Sequence, residues 1–383
     1  MKPNLILLCF LLFTVPAPTV LAQTAGAKGE PEAFARDFSE RFRRHVRREA
    51  YPAAALAIVQ RDRVLVLATE GYRSGSDGKP ADIDTLFRLA SVSKTFAAAA
   101  LGLLVDRGQL AWDDPLTHFA PEFRIHGDPA QIRLRHLLEH SSGLMPRAYD
   151  NLIEDGLTRD AVVARLADLP YLCDPGQCYG YQNVIFSMVE PAIAAASGQS
   201  YERWVQEQIF EPLAMHSANF GRRALVDSTN YAGPHVRSRG RWTPVRVQAD
   251  YYRLPAAAGV NASITDMARW LQALLGNNPE TLPPSLVAYL TLPRQPTQRQ
   301  LRRAEWRNHV SAAHYGMGWR IYMIDDLQVN YHGGWVQGYR ADIAFAPELD
   351  LGIAILLNAE ASSISELSAA FWGQAKDVLG AAE

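Results

Sequence analysis

Lysine is scarce in this 383-residue chain. Only five of its 38 basic residues are lysines (Lys2, Lys28, Lys79, Lys94, Lys376), so arginine carries nearly all the positive charge. A lysine inside an apolar segment therefore needs a chemical reason. Cysteine is scarcer still: three residues are too few for a disulfide-built scaffold or a thiolate metal cluster. Excess charge is missing too. The 38 basic residues against 40 acidic ones leave a net charge of −2 and no electrostatic footprint for nucleic acid. No internal repeat is visible, and no long polar tract of the kind that keeps a chain unfolded. With 48% apolar residues, such a chain buries a large core and is globular, an enzyme or a binding domain.

The amino terminus reads as an address. Lys2 precedes an apolar run, Leu5 to Val15, then Pro16 and Pro18, with Val20 and Ala22 placed for a cut after Ala22. The run is about half the ~20 residues a membrane span needs, so a cleaved secretory signal over 1–22 is expected rather than a transmembrane segment. Cys9 leaves with it. The expectation is a protein of the periplasm or the medium, with residues 23–383 forming a single catalytic unit. In such an oxidising compartment Cys173 and Cys178, flanking the turn-forming Asp174-Pro175-Gly176-Gln177, are expected to pair; two free thiols are the alternative.

Periodicity predicts an amphipathic helix from Phe34 to Arg48, then an antiparallel hairpin of Ala53–Gln60 and Val64–Thr69 around Arg61-Asp62-Arg63. Ser91–Arg107 is dense in alanine and apolar residues and reads as a buried helix that Gly108 ends. The stretch from about 130 to 280 is mostly helical in pattern. Tyr315–Met323, Gln328–Tyr331, Tyr339–Phe345 and Leu351–Leu357 read as strands, and Ser362–Leu379 as a closing helix. The fold class expected is mixed α/β (α+β). A mainly antiparallel sheet is drawn from both ends (about 33–85 and 285–383), beside a helical domain at about 90–280.

Three short motifs can carry chemistry. Ser91-Val92-Ser93-Lys94 opens the buried helix and puts a hydroxyl and an amine on one helix face at i and i+3. A serine at a helix start also sits beside free backbone N–H groups, and a buried lysine sheds its proton readily. Chance placement of twenty serines and five lysines gives about a quarter of one such match, so the motif alone is weak. Tyr181-Gln182-Asn183 follows the Pro175-Gly176 loop and aims a phenol and an amide into one cleft; the bland reading is a core tyrosine. A phenol with a reference pKa of about 10 serves as a base only beside a cation, which Lys94 supplies. His332-Gly333-Gly334-Trp335 ends a predicted strand, where two glycines let a substrate lie along the edge; the bland reading is a turn. His136-Leu137-Leu138-Glu139-His140 also matches a His-x-x-Glu-His zinc pattern, but Ser141-Ser142-Gly143 ends that helix at once and no acidic ligand helix follows.

Taken in order, these motifs resemble the class C β-lactamase family of penicillin-recognising serine hydrolases, which also holds D-alanyl-D-alanine carboxypeptidases, D-aminopeptidases and esterases. Phe87-Arg88-Leu89-Ala90-Ser91-Val92-Ser93-Lys94-Thr95-Phe96 is similar to the family's nucleophile segment. His136 to Leu144 is similar to its structural "LLxHTSGL" stretch, which takes away the zinc reading's best evidence. Gly259–Ser263, Asp266–Trp270 and Tyr315–Trp319 also look like family segments. The resemblance covers about 34–380. It implies Ser91 as nucleophile, Lys94 and Tyr181 sharing proton transfer, and Asn183 holding a substrate amide. His332 and Gly334 would line the binding site, with the backbone N–H groups of Ser91 and Trp335 as oxyanion hole. It implies no metal and no other cofactor.

One departure stands out. The family's β-lactamases carry Lys-Thr-Gly where this chain has His332-Gly333-Gly334, so a titratable ring replaces a cation and a hydroxyl is lost. Histidine here looks more like carboxypeptidase, aminopeptidase and esterase relatives. Arg340 is a candidate replacement cation, its alternative being a structural arginine. The function expected is acyl transfer through a Ser91 acyl-enzyme on β-lactam-like, D-alanyl peptide or ester substrates, with a small-molecule or peptidoglycan-derived partner and no nucleic acid. The alternatives are a non-hydrolytic penicillin- or cell-wall-fragment-binding protein and, further off, a zinc peptidase.

Overall fold

A computed structural model of the protein describes residues 30–74, 78–298, 301 and 305–380. The signal and its cut at Ala22, with Cys9, lie outside the described residues. The centre is an eight-stranded sheet of β1 (Ala53–Gln60), β2 (Arg63–Gly71), β3 (Gln295–Pro296), β4 (Ala312–Tyr315), β5 (Arg320–Ile324), β6 (Leu327–Val336), β7 (Tyr339–Ala346) and β8 (Leu351–Leu357). Its spatial order is β2-β1-β8-β7-β6-β5-β4-β3. Every neighbouring pair is antiparallel, so the first strand of the chain is paired with the last.

Strand β1 shows why helices cover both faces. Its side chains alternate, as the pleat requires, but both sets are apolar. Ala54, Leu56 and Ile58 pack with Phe38, Phe42, Phe371 and Trp372 from helices α1 (Pro31–Glu49) and α4 (Ser363–Leu379). Ala55, Ala57 and Val59 pack with Phe96, Trp270 and Leu271 from helices α2 (Ser93–Asp106) and α3 (Ile264–Leu274). The Phe371 ring closes the outer layer at 5.2 Å from Phe34 and 4.9 Å from Phe38, centroid to centroid.

Two features differ from the periodicity. The stretch Tyr315–Met323, which reads as one strand, is cut into β4 and β5 by Gly316-Met317-Gly318. Gly318 has φ +74°, and a Cβ there would meet the Lys94 carbonyl at 2.8 Å, so the loop lies directly on the nucleophile helix. The middle of the chain is not only helical. Phe87–Arg88, Val260–Ala262 and Asn219–Phe220 form a second small sheet, and His235–Ser238 pairs with Arg241–Pro244. Two- to four-residue strands are too short to show a period of two. Among the described residues no helix is long and apolar enough to cross a membrane.

Candidate active site

Ser91 stands at the entrance of α2, on a single 3₁₀ turn, Ala90–Val92, that precedes the helix. Ala90 is held at φ +49°, a left-handed conformation that an alanine adopts only under constraint. The constraint is visible: β6 crosses this turn so closely that a Cβ on Gly334 would overlap the Leu89 carbonyl oxygen and lie 3.3 Å from Ala90 Cβ. Gly334 is thus where the sheet edge and the serine turn touch. Trp335, next in β6, and Ser91 both line a cleft of about 1550 Å³.

Lys94 is one helical turn behind Ser91 and fully buried. Its Nζ donates to Asn183 Oδ1 at 2.8 Å and to the Ala257 carbonyl at 2.9 Å. It also sits over the rings of Tyr181 and Phe186, at 4.9 and 5.1 Å from their centroids. Burial drives its ammonium well below the usual lysine range, with Asp150 pulling it up and Arg320 and Arg147 pushing it further down. Ser91 and Tyr181 both line the cleft; burial raises the Tyr181 phenol, while Arg320 first and the neighbouring Ser91 side chain next act in the opposite direction. A hydroxyl and a phenol on the cleft wall therefore stand in front of a buried amine of weakened basicity.

The Tyr181 segment is fixed by backbone pairing to residues 140–147. Gly176 N–H donates to the Ser141 carbonyl, Gly180 N–H to the His140 carbonyl and Arg147 N–H to the Tyr181 carbonyl, at 2.7–2.8 Å. A disulfide joins Cys173 and Cys178, with Cα atoms 6.2 Å apart, and closes the loop just before Tyr179.

His332 occupies a different place from the one its motif suggests. It is fully buried and absent from the cleft wall, while Gly333, Gly334 and Trp335 line it. Its Nδ1–H donates to the Gly333 carbonyl at 3.1 Å, which fixes the tautomer, and its Nε2 accepts from the Tyr315 hydroxyl at 3.0 Å. Burial, then Arg320 and Lys94, hold its pKa well below the ordinary histidine value, so the ring is neutral.

Of the arginines that line the cleft (Arg147, Arg253, Arg320 and Arg340), the one against the Tyr181 ring is Arg320, the first residue of β5, which has no motif in the sequence. Its guanidinium lies 5.3 Å from the Tyr181 ring centroid and 5.7 Å from that of Tyr315. Arg340 also lines the cleft, but at its rim, 4.5 Å over the half-exposed Trp335 ring. Asp150 has no motif either: its Oδ2 accepts from Asn183 Nδ2 at 2.8 Å. The only sequence signal for either is a charged residue in a short apolar context.

The His-x-x-Glu-His residues have separate surroundings. Their helix, Leu134–Leu138, stops before the motif is complete, and His140 has φ +54°. His136 Nδ1 accepts from Arg133 N–H, Glu139 pairs with Arg294 at 3.1 Å, and His140 packs against Tyr181 at 4.2 Å. Among the described residues no group of three or more His, Cys, Asp or Glu side chains is placed to hold a metal ion.

Ser, Lys and Tyr converging at a cleft between an antiparallel sheet and helices define a serine hydrolase of the β-lactamase fold. The family model described as Beta-lactamase matches residues 38–371, and the chain belongs to that family. It is 32% identical over 276 residues to Esterase EstB of Burkholderia gladioli, covering 61% of this chain and 69% of that one. The chain spans 61% of the length of Putative beta-lactamase-like 1 of Homo sapiens, at 29% identity over 80% of this chain, and 50% of Beta-lactamase-like protein 4 of Dictyostelium discoideum, at 26% identity over 71% of this chain. Among solved structures, the octameric penicillin-binding protein homologue from Pyrococcus abyssi superposes with TM-score 0.76 at 22% identity, over 89% of this chain and 76% of that one. EstCE1, described as a hydrolase with promiscuous acyltransferase activity, superposes with TM-score 0.73 at 18% identity, over 91% and 99%.

Proposed function

We propose that the protein is an exported hydrolase that cleaves carboxylic esters through an acyl-enzyme on Ser91. The observation that carries this reading is the placing of Ser91 and Tyr181 on one cleft wall, with the Lys94 amine buried 4.9 Å from the Tyr181 ring centroid and short of its usual basicity. Tyr181, sharing its proton with Lys94, accepts the Ser91 proton as Oγ attacks the ester carbonyl. The backbone N–H groups of Ser91 and Trp335 take the negative oxygen, and Tyr181 returns the proton to the departing alcohol. Water then repeats the sequence on the acyl-enzyme, releasing the acid and freeing Ser91. Export is supported by the apolar run after Lys2 and the small residues before Gln23.

Esters are favoured because the His332 ring is neutral and buried, so the third motif brings no cation to the cleft. An alcohol also leaves with less proton assistance than an amine. One observation keeps a second reading alive: the Arg320 guanidinium on the cleft wall can hold a carboxylate, as a D-alanyl peptide or β-lactam would require. Steady-state rates on p-nitrophenyl butyrate, a D-alanyl-D-alanine peptide and nitrocefin rank the substrates. Ser91→Ala should abolish both turnover and covalent labelling by a fluorophosphonate. Retained labelling removes Ser91 from this role, and a burst without a steady state on all three substrates makes the protein a binder instead.

A further inference from the structure

The geometry points to Asp150 as the positioning residue of the proton-handling pair: its carboxylate locks the Asn183 amide against Lys94 and supplies the negative charge that sets the Lys94 charge state. This rests on the reading of Ser91, Lys94 and Tyr181 just given. Asn183 is held between a carboxylate, which only accepts, and an amine, which here only donates. Asp150 Oδ2 takes an Asn183 Nδ2–H at 2.8 Å, and Asn183 Oδ1 takes a Lys94 Nζ–H at 2.8 Å. The two ends of an amide differ, so the chain Asp150–Asn183–Lys94 runs in one direction only. Flipping Asn183 would set carboxylate against carbonyl oxygen and ammonium against amide N–H. The second Nδ2–H remains for a substrate carbonyl, because Asn183 also lines the cleft.

The electrostatics run along the same chain. Asp150 is 7% exposed, its Oδ1 is buried without a hydrogen-bond partner, and no ion pair is formed by it among the described residues. Burial pushes its carboxyl up to about 6, against the Asn183 hydrogen bond and the Lys94 and Arg147 charges. Arg147 and Glu154 face Asp150 from its own segment, and Lys94, Tyr181 and Tyr251 from the others. Lys94 in turn faces Arg320 and Arg147, and the buried His140 and His332, whose rings are neutral. Asp150 is the acidic group that raises Lys94 in this set; without it only repulsion from cations and desolvation act on the amine. Tyr149 just before it, at φ +62°, and Arg147, at φ +57°, show that the surrounding fold holds this segment in place.

The test is the pH dependence of kcat/KM for p-nitrophenyl butyrate in the full chain, beside fluorophosphonate labelling of Ser91. Asp150→Asn keeps the shape and an acceptor for Asn183 but removes the charge. The limb governed by Lys94 should move to lower pH by about one unit or more, with kcat falling and KM nearly unchanged. Asp150→Glu keeps the charge and should leave that limb at its wild-type position. If Asp150→Asn does not fold, Asp150→Ser is read in the same way. A neutral variant that folds, labels and shows a pH profile superimposable on wild type overturns the inference while leaving Ser91 in place. Turnover surviving in Ser91→Ala overturns the reading of the site itself.

Discussion

Gly334→Ala puts a single methyl group where the sheet edge touches the serine turn. Built on the existing backbone, that methyl carbon overlaps the Leu89 carbonyl oxygen and stands 3.2 Å from the Leu89 carbonyl carbon and 3.3 Å from Ala90 Cβ. These neighbours are backbone and a short side chain, so no rotamer change relieves the overlap. Either β6 or the Ala90–Val92 turn must retreat by on the order of 1 Å, and a displacement of that size in a reacting geometry costs about a hundredfold in rate. If Trp335 N–H is one of the two oxyanion donors, its withdrawal alone costs about 10²–10³ in kcat. Gly333→Ala is the contrast: there the methyl meets the Tyr331 hydroxyl at 2.6 Å and an Asp342 oxygen at 3.0 Å, side chains on the far side from the serine turn's backbone, so the strain falls on packing rather than on Ser91. The assay is kcat on p-nitrophenyl butyrate together with the second-order rate of fluorophosphonate labelling, with the melting temperature read alongside. A drop of two orders of magnitude in both rates for Gly334→Ala, against less than tenfold for Gly333→Ala, is expected. A Gly334→Ala enzyme that works within threefold of wild type refutes the reasoning.

Other perturbations have signs that follow from the same structure. Arg320→Gln removes the permanent charge opposing the upward shift of Tyr181, so the pH limb for the phenol should rise by about one to three units; Arg340→Gln at the rim should leave that limb in place, and equal effects would sink the distinction. His136 is pushed down to about 4, by burial first and Arg135 next, so its neutral form favours the fold. The stability it confers is complete above pH ~6.5 and lost as pH falls toward 4. His136→Gln should therefore flatten the melting temperature across that window, and parallel curves for the two proteins would contradict it. Replacing Cys173 and Cys178 by serine opens a loop whose ends are five residues apart, worth about 2 kcal/mol by loop entropy. A few degrees of melting temperature should go, and the rate should fall with it if the loop holds Tyr181 in place.

How much of this is legible in the sequence depends on the kind of signal. The i, i+3 spacing of Ser91 and Lys94 is a local rule, and it holds although Ser91 lies on the 3₁₀ turn that runs into α2 and only Lys94 in the helix proper. The long strands are visible for the same reason: Leu351–Leu357 is apolar throughout because it is buried on both faces. His332 shows where the reading runs short. A histidine beside two glycines reads as an open edge, but its ring sits on the side of β6 that faces Tyr315, and only its neighbours reach the cleft. Asp150 and Arg320 offer no usable pattern, because each acquires its meaning from a residue distant in sequence, Asn183 for one and Tyr181 for the other. The small sheet near Val260 is invisible because its strands are shorter than any period.

The pairing of β1 with β8 has a consequence for how the molecule is made. The serine, lysine and tyrosine are all synthesised by the middle of the chain, but the strand that flanks β1 on its inner side ends at Leu357. Until it docks, the first hairpin has an unfilled edge and β6, which presses on the Ala90 turn, is not tied through β7 and β8 to that hairpin. Closure over nearly three hundred residues is slow by its topology. Nascent or carboxy-terminally truncated chains should therefore be catalytically silent, however complete their chemical groups.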